Sequence, residues 1–207
     1  MNLRPRLGLI DYGSGNLRSV SKALEAAGAQ IERLEHGPIA NGFDAIVLPG
    51  VGAFGDSVTQ LQSRDFFAPI QRWLEQGKPF LGICLGLQLL FEGSEESPGI
   101  AGLGVFPGRV RKFANGSVKV PQIGWNSVEW TEHARALYAG LPPDPFFYFV
   151  HSYYPEPNDS SIIAGYTDYG DRFAAAVAIN KLLATQFHPE KSQESGLVLL
   201  RQFLATL

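Results

Sequence analysis

Apolar and polar positions fall into two registers along the chain. Leu7 to Asp11 is a short apolar run that ends in Gly13-Ser14-Gly15. Leu17, Val20, Leu24 and Ala27 then recur at helical spacing, and Gly28 suits the helix stop. Ala45 to Leu48 reads as a buried strand closed by Pro49-Gly50. Phe66, Ile70, Trp73 and Leu74 form a second helical stripe ended by Gly77, and Phe80 to Ile83 is a third buried strand that runs into an apolar helical stretch to Phe91. Short, fully apolar strands between amphipathic helices predict a parallel sheet covered on both faces.

The second half changes character. Arg109 to Phe113, Val118 to Val120, Phe146 to Tyr154 and Ile162 to Tyr166 read as strands with few helices between them. Ala174 to Ile179 and Leu182 to Phe187 flank Asn180-Lys181, a two-residue hairpin turn. Leu197, Leu200, Phe203 and Leu204 predict a closing helix. The pattern gives one α/β domain over 1–207, a mainly parallel central sheet flanked by helices, with an antiparallel section in the second half. In such folds reactive groups gather at the carboxyl ends of the parallel strands.

Composition narrows the function. The 207 residues are 45% hydrophobic and 18% charged, with a formal net charge of -3 and no run of one sign. Nothing supports nucleic-acid or membrane-surface binding. No apolar stretch approaches the roughly 20 residues that span a bilayer, and Leu7 to Ile10 is too short for a signal-peptide core, so a cytoplasmic protein is expected. The single cysteine is either inert packing or a reactive centre.

Cys84 lies in Gly82-Ile83-Cys84-Leu85-Gly86, between an apolar strand and a helix. This is the G-x-nucleophile-x-G elbow with Cys in place of Ser. So sharp a turn strains its central residue, and glycine on both sides removes the clashes. At a helix start the sulfur meets free N–H groups that favour its negative form. Gln88, one turn on, faces the same cleft.

A thiol nucleophile needs a base, and the base a group that fixes its tautomer. His36 and His133 lie in polar, loop-like surroundings. His151, inside FFYFVHSYY, reads as a hydrogen-bonded structural residue. His188 follows a buried strand and opens His188-Pro189-Glu190. In an extended segment residues two apart point the same way, and Pro189 enforces extension, so Glu190 can reach the far ring nitrogen. Taken alone, that tripeptide is more often a strand-end His beside a surface Glu; beside the elbow it completes a Cys84–His188–Glu190 triad. The oxyanion of acyl transfer requires backbone donors. Leu85 N–H is one. Pro49-Gly50-Val51-Gly52-Ala53-Phe54 offers the second, from Val51 or Gly52, although the segment by itself is also an ordinary strand-to-helix turn.

With GICLGLQ and QFHPEKS in view, the chain resembles the class I glutamine amidotransferases. DYGSGN, PGVGAFGD, PQIGWN and YFVHSYY extend the resemblance to the glutaminase subunits of imidazole glycerol phosphate synthase over nearly the whole length. The resemblance implies that Cys84 attacks the glutamine amide while His188 shuttles protons. It implies glutamine contacts at Gly52, Gln88, Ser152 and Tyr153; no cofactor is expected, and no metal, because the four histidines and one cysteine are scattered without ligand spacing. It further implies a heterodimer with a (β/α)8-barrel cyclase that receives the ammonia shielded from water, and a partner face including Tyr12, Asn16, Trp125, Tyr148 and Lys191. For Trp125 and Tyr148 core packing is the competing reading. Two departures stand out. Gly50-Val51-Gly52 replaces the Gly-Gly of many relatives, so the Val51 peptide must be oriented before the hole is complete, and low activity without the partner is expected. Gln122 follows Pro121 where relatives often carry His, which weakens any interface role for it. A glutaminase serving a different synthase, a cysteine peptidase, and a binding subunit with a degenerate site are the competing functions. The GWN, VHSYY and HPEKS segments, Gln88 with His188-Pro189-Glu190, and three competent triad positions count against them in turn.

Overall fold

A computed structural model describes residues 4–114, 116, 118–138, 140 and 145–207. The first half runs β1 (Arg6–Ile10), α1 (Leu17–Ala27), β2 (Gln30–Leu34), β3 (Ala45–Gly50), α2 (Phe54–Ser63), α3 (Phe67–Glu75), β4 (Phe80–Cys84), α4 (Leu85–Gln88). The second half runs β5 (Phe91–Ser94), β6 (Phe106–Lys112), β7 (Gln122–Ser127), β8 (Glu129–Trp130), α5 (Glu132–Leu137), β9 (Phe146–His151), β10 (Tyr153–Pro157), β11 (Ile163–Tyr169), β12 (Asp171–Ile179), β13 (Leu182–Thr185) and α6 (Gln193–Leu204).

Eight strands form the main sheet in the order β2-β1-β3-β4-β13-β12-β11-β8. From β2 to β13 the pairs are parallel; from β13 outward they are antiparallel. Every residue of β3, β4 and β13 is buried, which is why they read as unbroken apolar runs. Successive side chains go to opposite faces. Val47 and Leu81 join Val20, Leu24, Leu199 and Phe203 on the α1/α6 side, whereas Ile46 and Phe80 join Phe54, Leu61, Ile70 and Trp73 on the α2/α3 side.

Several expectations need correction. The apolar stretch to Phe91 is helical only over Leu85–Gln88, because the N–H groups of Leu103 and Val105 take the carbonyls of Leu89 and Leu90 and turn the chain into β5. Val118 to Val120 is not a strand; β7 begins at Gln122, where the register Gln122↔His151 to Ser127↔Phe146 gives it a partner. Phe146 to Tyr154 is not one strand but two: it breaks at Ser152, β9 pairing with β7 and β10 with β6. β2, an exposed edge with the polar sequence QIERL, and α2 carry elements the periodicity reading did not name. The Asn180-Lys181 turn is as expected: Ile179 pairs Leu182, and Asn180 takes a left-handed φ of 52°.

Candidate active site

β4 ends on Cys84, whose φ of 54° and ψ of -105° bend the chain straight into α4. A non-glycine residue in this region is strained and persists only where packing over-determines it. The packing is severe. A Cβ on Gly86 would stand 1.9 Å from the Leu48 carbonyl oxygen, so the helix can begin here only if it begins with no side chain facing β3. Cys84 is 6% exposed and lines a cavity of about 460 Å³ together with Val51, Gly52, Leu85, Gln88, Ser152 and Tyr153. All four residues expected to contact substrate therefore border the cavity that holds the sulfur. A larger groove of about 590 Å³ lies along β10 and β12, but no cysteine, serine or threonine lines it, and its Arg111 and Arg172 are paired with carboxylates.

His188 arrives on the adjacent strand, β13, continued through Gln186 and Phe187. Its N–H donates to the Tyr148 carbonyl at 2.9 Å, and Ser192 Oγ donates to its carbonyl at 2.6 Å. The tripeptide is not extended as expected. Pro189–Lys191 forms a 3-10 turn, with Lys191 N–H bonded to the His188 carbonyl at 3.0 Å. The turn brings Glu190 under the ring all the same: Nδ1 and Oε1 are 2.8 Å apart, with both side chains at most 3% exposed. Among the described residues no nitrogen or oxygen bonds His188 Nε2. Burial alone would push the ring's pKa down. The hydrogen bond and charge of Cys84, then those of Glu190, more than offset this and raise it to about 10. Nδ1 thus belongs to the carboxylate, which leaves Nε2 as the nitrogen able to serve the sulfur.

Behind the sulfur lies a buried amide chain. Gln186 Nε2 is 3.6 Å from Cys84 Sγ. Gln88 Nε2 donates to Gln186 Oε1 at 3.0 Å and to the Tyr153 carbonyl at 2.9 Å, and His151 Nδ1 meets that same carbonyl at 2.8 Å. His151 is, as expected, structural. It packs among Phe113, Phe149 and Phe173, and burial pushes its pKa down to about 4, so it stays neutral. In front, Val51 is tied to Ser14: its N–H donates to Ser14 Oγ at 3.2 Å, and the same hydroxyl donates to its carbonyl. Of the two candidates for the second oxyanion donor, Val51 is engaged elsewhere in this form.

The expected partner face divides. Trp125 is 47% exposed and meets Tyr148 edge to face at a centroid distance of 6.2 Å, so Trp125 is not core. Lys191 is exposed, with Nζ 5.7 Å from the Tyr148 ring centroid. Asn16 is exposed and caps α1 through Ser19 N–H. Tyr12 does not belong there. It is fully buried, and a Cβ on Gly50 would come within 2.2 Å of its hydroxyl, which puts Tyr12 behind the end of β3. Sequence reasoning missed Glu96, which lines the cavity and accepts the Phe54 N–H at 2.7 Å, and Gln186. Gln186 left a signal: an amide inside an otherwise apolar strand end. Glu96 left none.

A mostly parallel α/β sheet thus carries a strained cysteine at a strand-to-helix elbow, and the neighbouring strand leads to a histidine–glutamate pair. Residues 8–207 match the family described as glutamine amidotransferase class-I, and the chain belongs to it. It is 48% identical over 201 residues to the imidazole glycerol phosphate synthase subunit HisH of Microcystis aeruginosa, covering 96% of this chain and 94% of that one. To the subunit of the same name from Aquifex aeolicus it is 49% identical over 199 residues, covering 96% and 95%. The fold is similar to the structure of PurLQS from Thermotoga maritima, with a TM-score of 0.77 at 19% identity over 98% of this chain and 99% of that one.

Proposed function

We propose that this chain is a glutaminase subunit of imidazole glycerol phosphate synthase. It hydrolyses L-glutamine to glutamate and ammonia through a Cys84 thioester, and delivers the ammonia to a (β/α)8-barrel cyclase partner that forms imidazole glycerol phosphate and AICAR in histidine biosynthesis. One observation carries this reading: a strained thiol opens onto a cavity while the neighbouring strand leads to a buried imidazole–carboxylate pair, in a chain nearly half identical to such subunits along almost its whole length.

Cys84 Sγ attacks the carboxamide carbon with its proton already held by the His188 ring, whose pKa is raised to about 10; Glu190 holds Nδ1 and stabilises the imidazolium. The oxyanion receives the Leu85 N–H and a second N–H from the Val51-Gly52 segment. Collapse breaks the C–N bond, with His188 returning its proton to the leaving nitrogen, so ammonia departs and the thioester remains. His188 then deprotonates water, the hydroxide adds to the thioester, and glutamate and the thiol are regenerated. Glu96 supplies a carboxylate suited to the α-ammonium of glutamine, and the Ser152–Tyr153 segment lines the cavity where its carboxylate end would lie.

The Ser14–Val51 contact supports partner dependence. While Val51 N–H faces Ser14 it cannot serve the hole, and docking on the Trp125 and Lys191 surface is what releases it. Glutamate release from glutamine, measured with and without the cyclase and its nucleotide ligand, tests both claims. A marked rise on adding the partner is expected. No glutamate under either condition rejects the activity, and equal turnover rejects the coupling.

A further inference from the structure

We propose that Gln186 is a positioning residue for the thioester chemistry: its buried carboxamide aims an N–H at the Cys84 sulfur because its oxygen is held by the Gln88 amide. The proposal rests on Cys84 being the nucleophile. Gln186 is 0% exposed, and its backbone is anchored by donation to the Ala175 carbonyl at 2.8 Å.

The orientation of the two amides follows from one atom that has no choice. The Tyr153 carbonyl can only accept, so the Gln88 atom 2.9 Å from it is nitrogen. The second hydrogen of that Gln88 nitrogen points to Gln186 at 3.0 Å, so the Gln186 atom there is oxygen. The Gln186 nitrogen must then be the atom 3.6 Å from Cys84 Sγ. His151 Nδ1 meets the same Tyr153 carbonyl at 2.8 Å and fixes that carbonyl in turn.

Two consequences follow. At 3.6 Å an amide N–H does little for a neutral thiol, but it strengthens as negative charge develops on sulfur, so it favours the attacking form. Both hydrogens of the Gln88 amide are spent inside the protein. Its oxygen alone is left for the cavity, so Gln88 meets glutamine as an acceptor. Gln186 touches the sulfur but not the substrate, and the Gln88 preference is passed on through it.

The test uses the chain's only cysteine as its own reporter. Iodoacetamide alkylation of the full-length protein is followed against pH for wild type, Gln186→Met and Gln186→Glu, with melting temperature and glutamine KM and kcat beside the cyclase. Gln186→Met is expected to slow alkylation at neutral pH about tenfold and move its profile upward by about one unit. Gln186→Glu, which sets a carboxylate against the sulfur, moves it further. KM rises modestly in Gln186→Met, where Gln88 loses one of its two acceptors, and stays near wild type in Gln186→Glu, whose carboxylate still accepts from Gln88. Folded variants whose alkylation profiles superpose on wild type overturn the proposal, even if turnover falls. Should neither variant fold, the side-chain amide resonance of Gln186 in the wild-type protein is followed by 15N NMR from pH 6 to 9; it tracks the alkylation profile if the contact exists, and a flat trace overturns the proposal. Retained turnover in Cys84→Ala sinks the functional reading instead, a separate result.

Discussion

The corner around Cys84 and the β7–β9 ribbon border the same cavity and are held by opposite means. At the corner β3, β4 and β13 are buried throughout, Gly86 leaves no room for a methyl group, and the His188 and Glu190 side chains are sealed from solvent. The ribbon is only two strands wide and leaves Ile123, Trp125 and Phe146 at 61%, 47% and 55% exposure. Chemistry that depends on sub-ångström placement sits where neighbours permit no alternative. Apolar surface stays uncovered where a partner can reach it. The Val51-Gly52 segment lies between the two, at the end of a rigid strand and tied by the half-buried Ser14.

The sharpest way to break this contrast is at the corner. Cys84→Ala should lower glutamine hydrolysis by about 10⁴-fold or more, as removal of a nucleophile does elsewhere, while cyclase binding persists. Measurable turnover by the variant at more than about a hundredth of wild type would remove the corner's claim to the chemistry.

Glu190→Gln comes next, with kcat expected to fall about 10³-fold because the ring loses its tautomer lock. The variant also carries a pH signature. His188 is raised to about 10 in the folded protein, above the roughly 6.5 of an unfolded chain. Its contribution to stability is therefore complete below pH ~6.5 and is lost as pH climbs through about 10, with a slope of at most about 1.4 kcal/mol per unit. Removing the Glu190 carboxylate lowers the folded value, so urea-unfolding stability of the variant should fall less steeply over that interval. Parallel slopes would mean that Glu190 does not act on the ring.

The ribbon should respond differently. Trp125→Ala is expected to leave partner-free glutaminase activity unchanged and to weaken cyclase affinity about 30-fold, the scale of an aromatic interface anchor. Titration calorimetry with the cyclase checks this, and an unchanged affinity would move the partner face off the ribbon.

The same contrast explains what was legible in the sequence. The corner was readable because its demands are local: buried strands show as Ala45–Leu48 and Phe80–Ile83, and the elbow as paired glycines around Cys84. Its His188-Pro189-Glu190 contact was foreseen by the wrong route, since a turn and not an extended segment delivers Glu190. What depends on partners far along the chain was not readable. The break at Ser152 arises because β9 and β10 answer to different strands, and Tyr12 is drawn inward by Gly50, 38 positions away in sequence. Gln186 and Gln88 are 98 positions apart, so no local pattern joins them.

The smallest expected effect tests the segment between the two regions. Ser14 holds Val51 from both sides, accepting its N–H at 3.2 Å and donating to its carbonyl. These bonds lie at the surface, where each is worth only about 1 kcal/mol net. A latch of that strength shifts a two-state peptide by about five- to tenfold, enough to restrain activity and small enough for docking to overcome. Ser14→Ala removes the side-chain oxygen and leaves the corner untouched. Partner-free glutamine turnover should then rise about fivefold, with KM unchanged, while the fully activated rate beside the cyclase stays at the wild-type level. The activation ratio therefore contracts by the same factor. If Ser14→Ala instead lowers both rates together, the serine supports the formed hole, and the regulated element must be sought elsewhere than in the Val51 peptide.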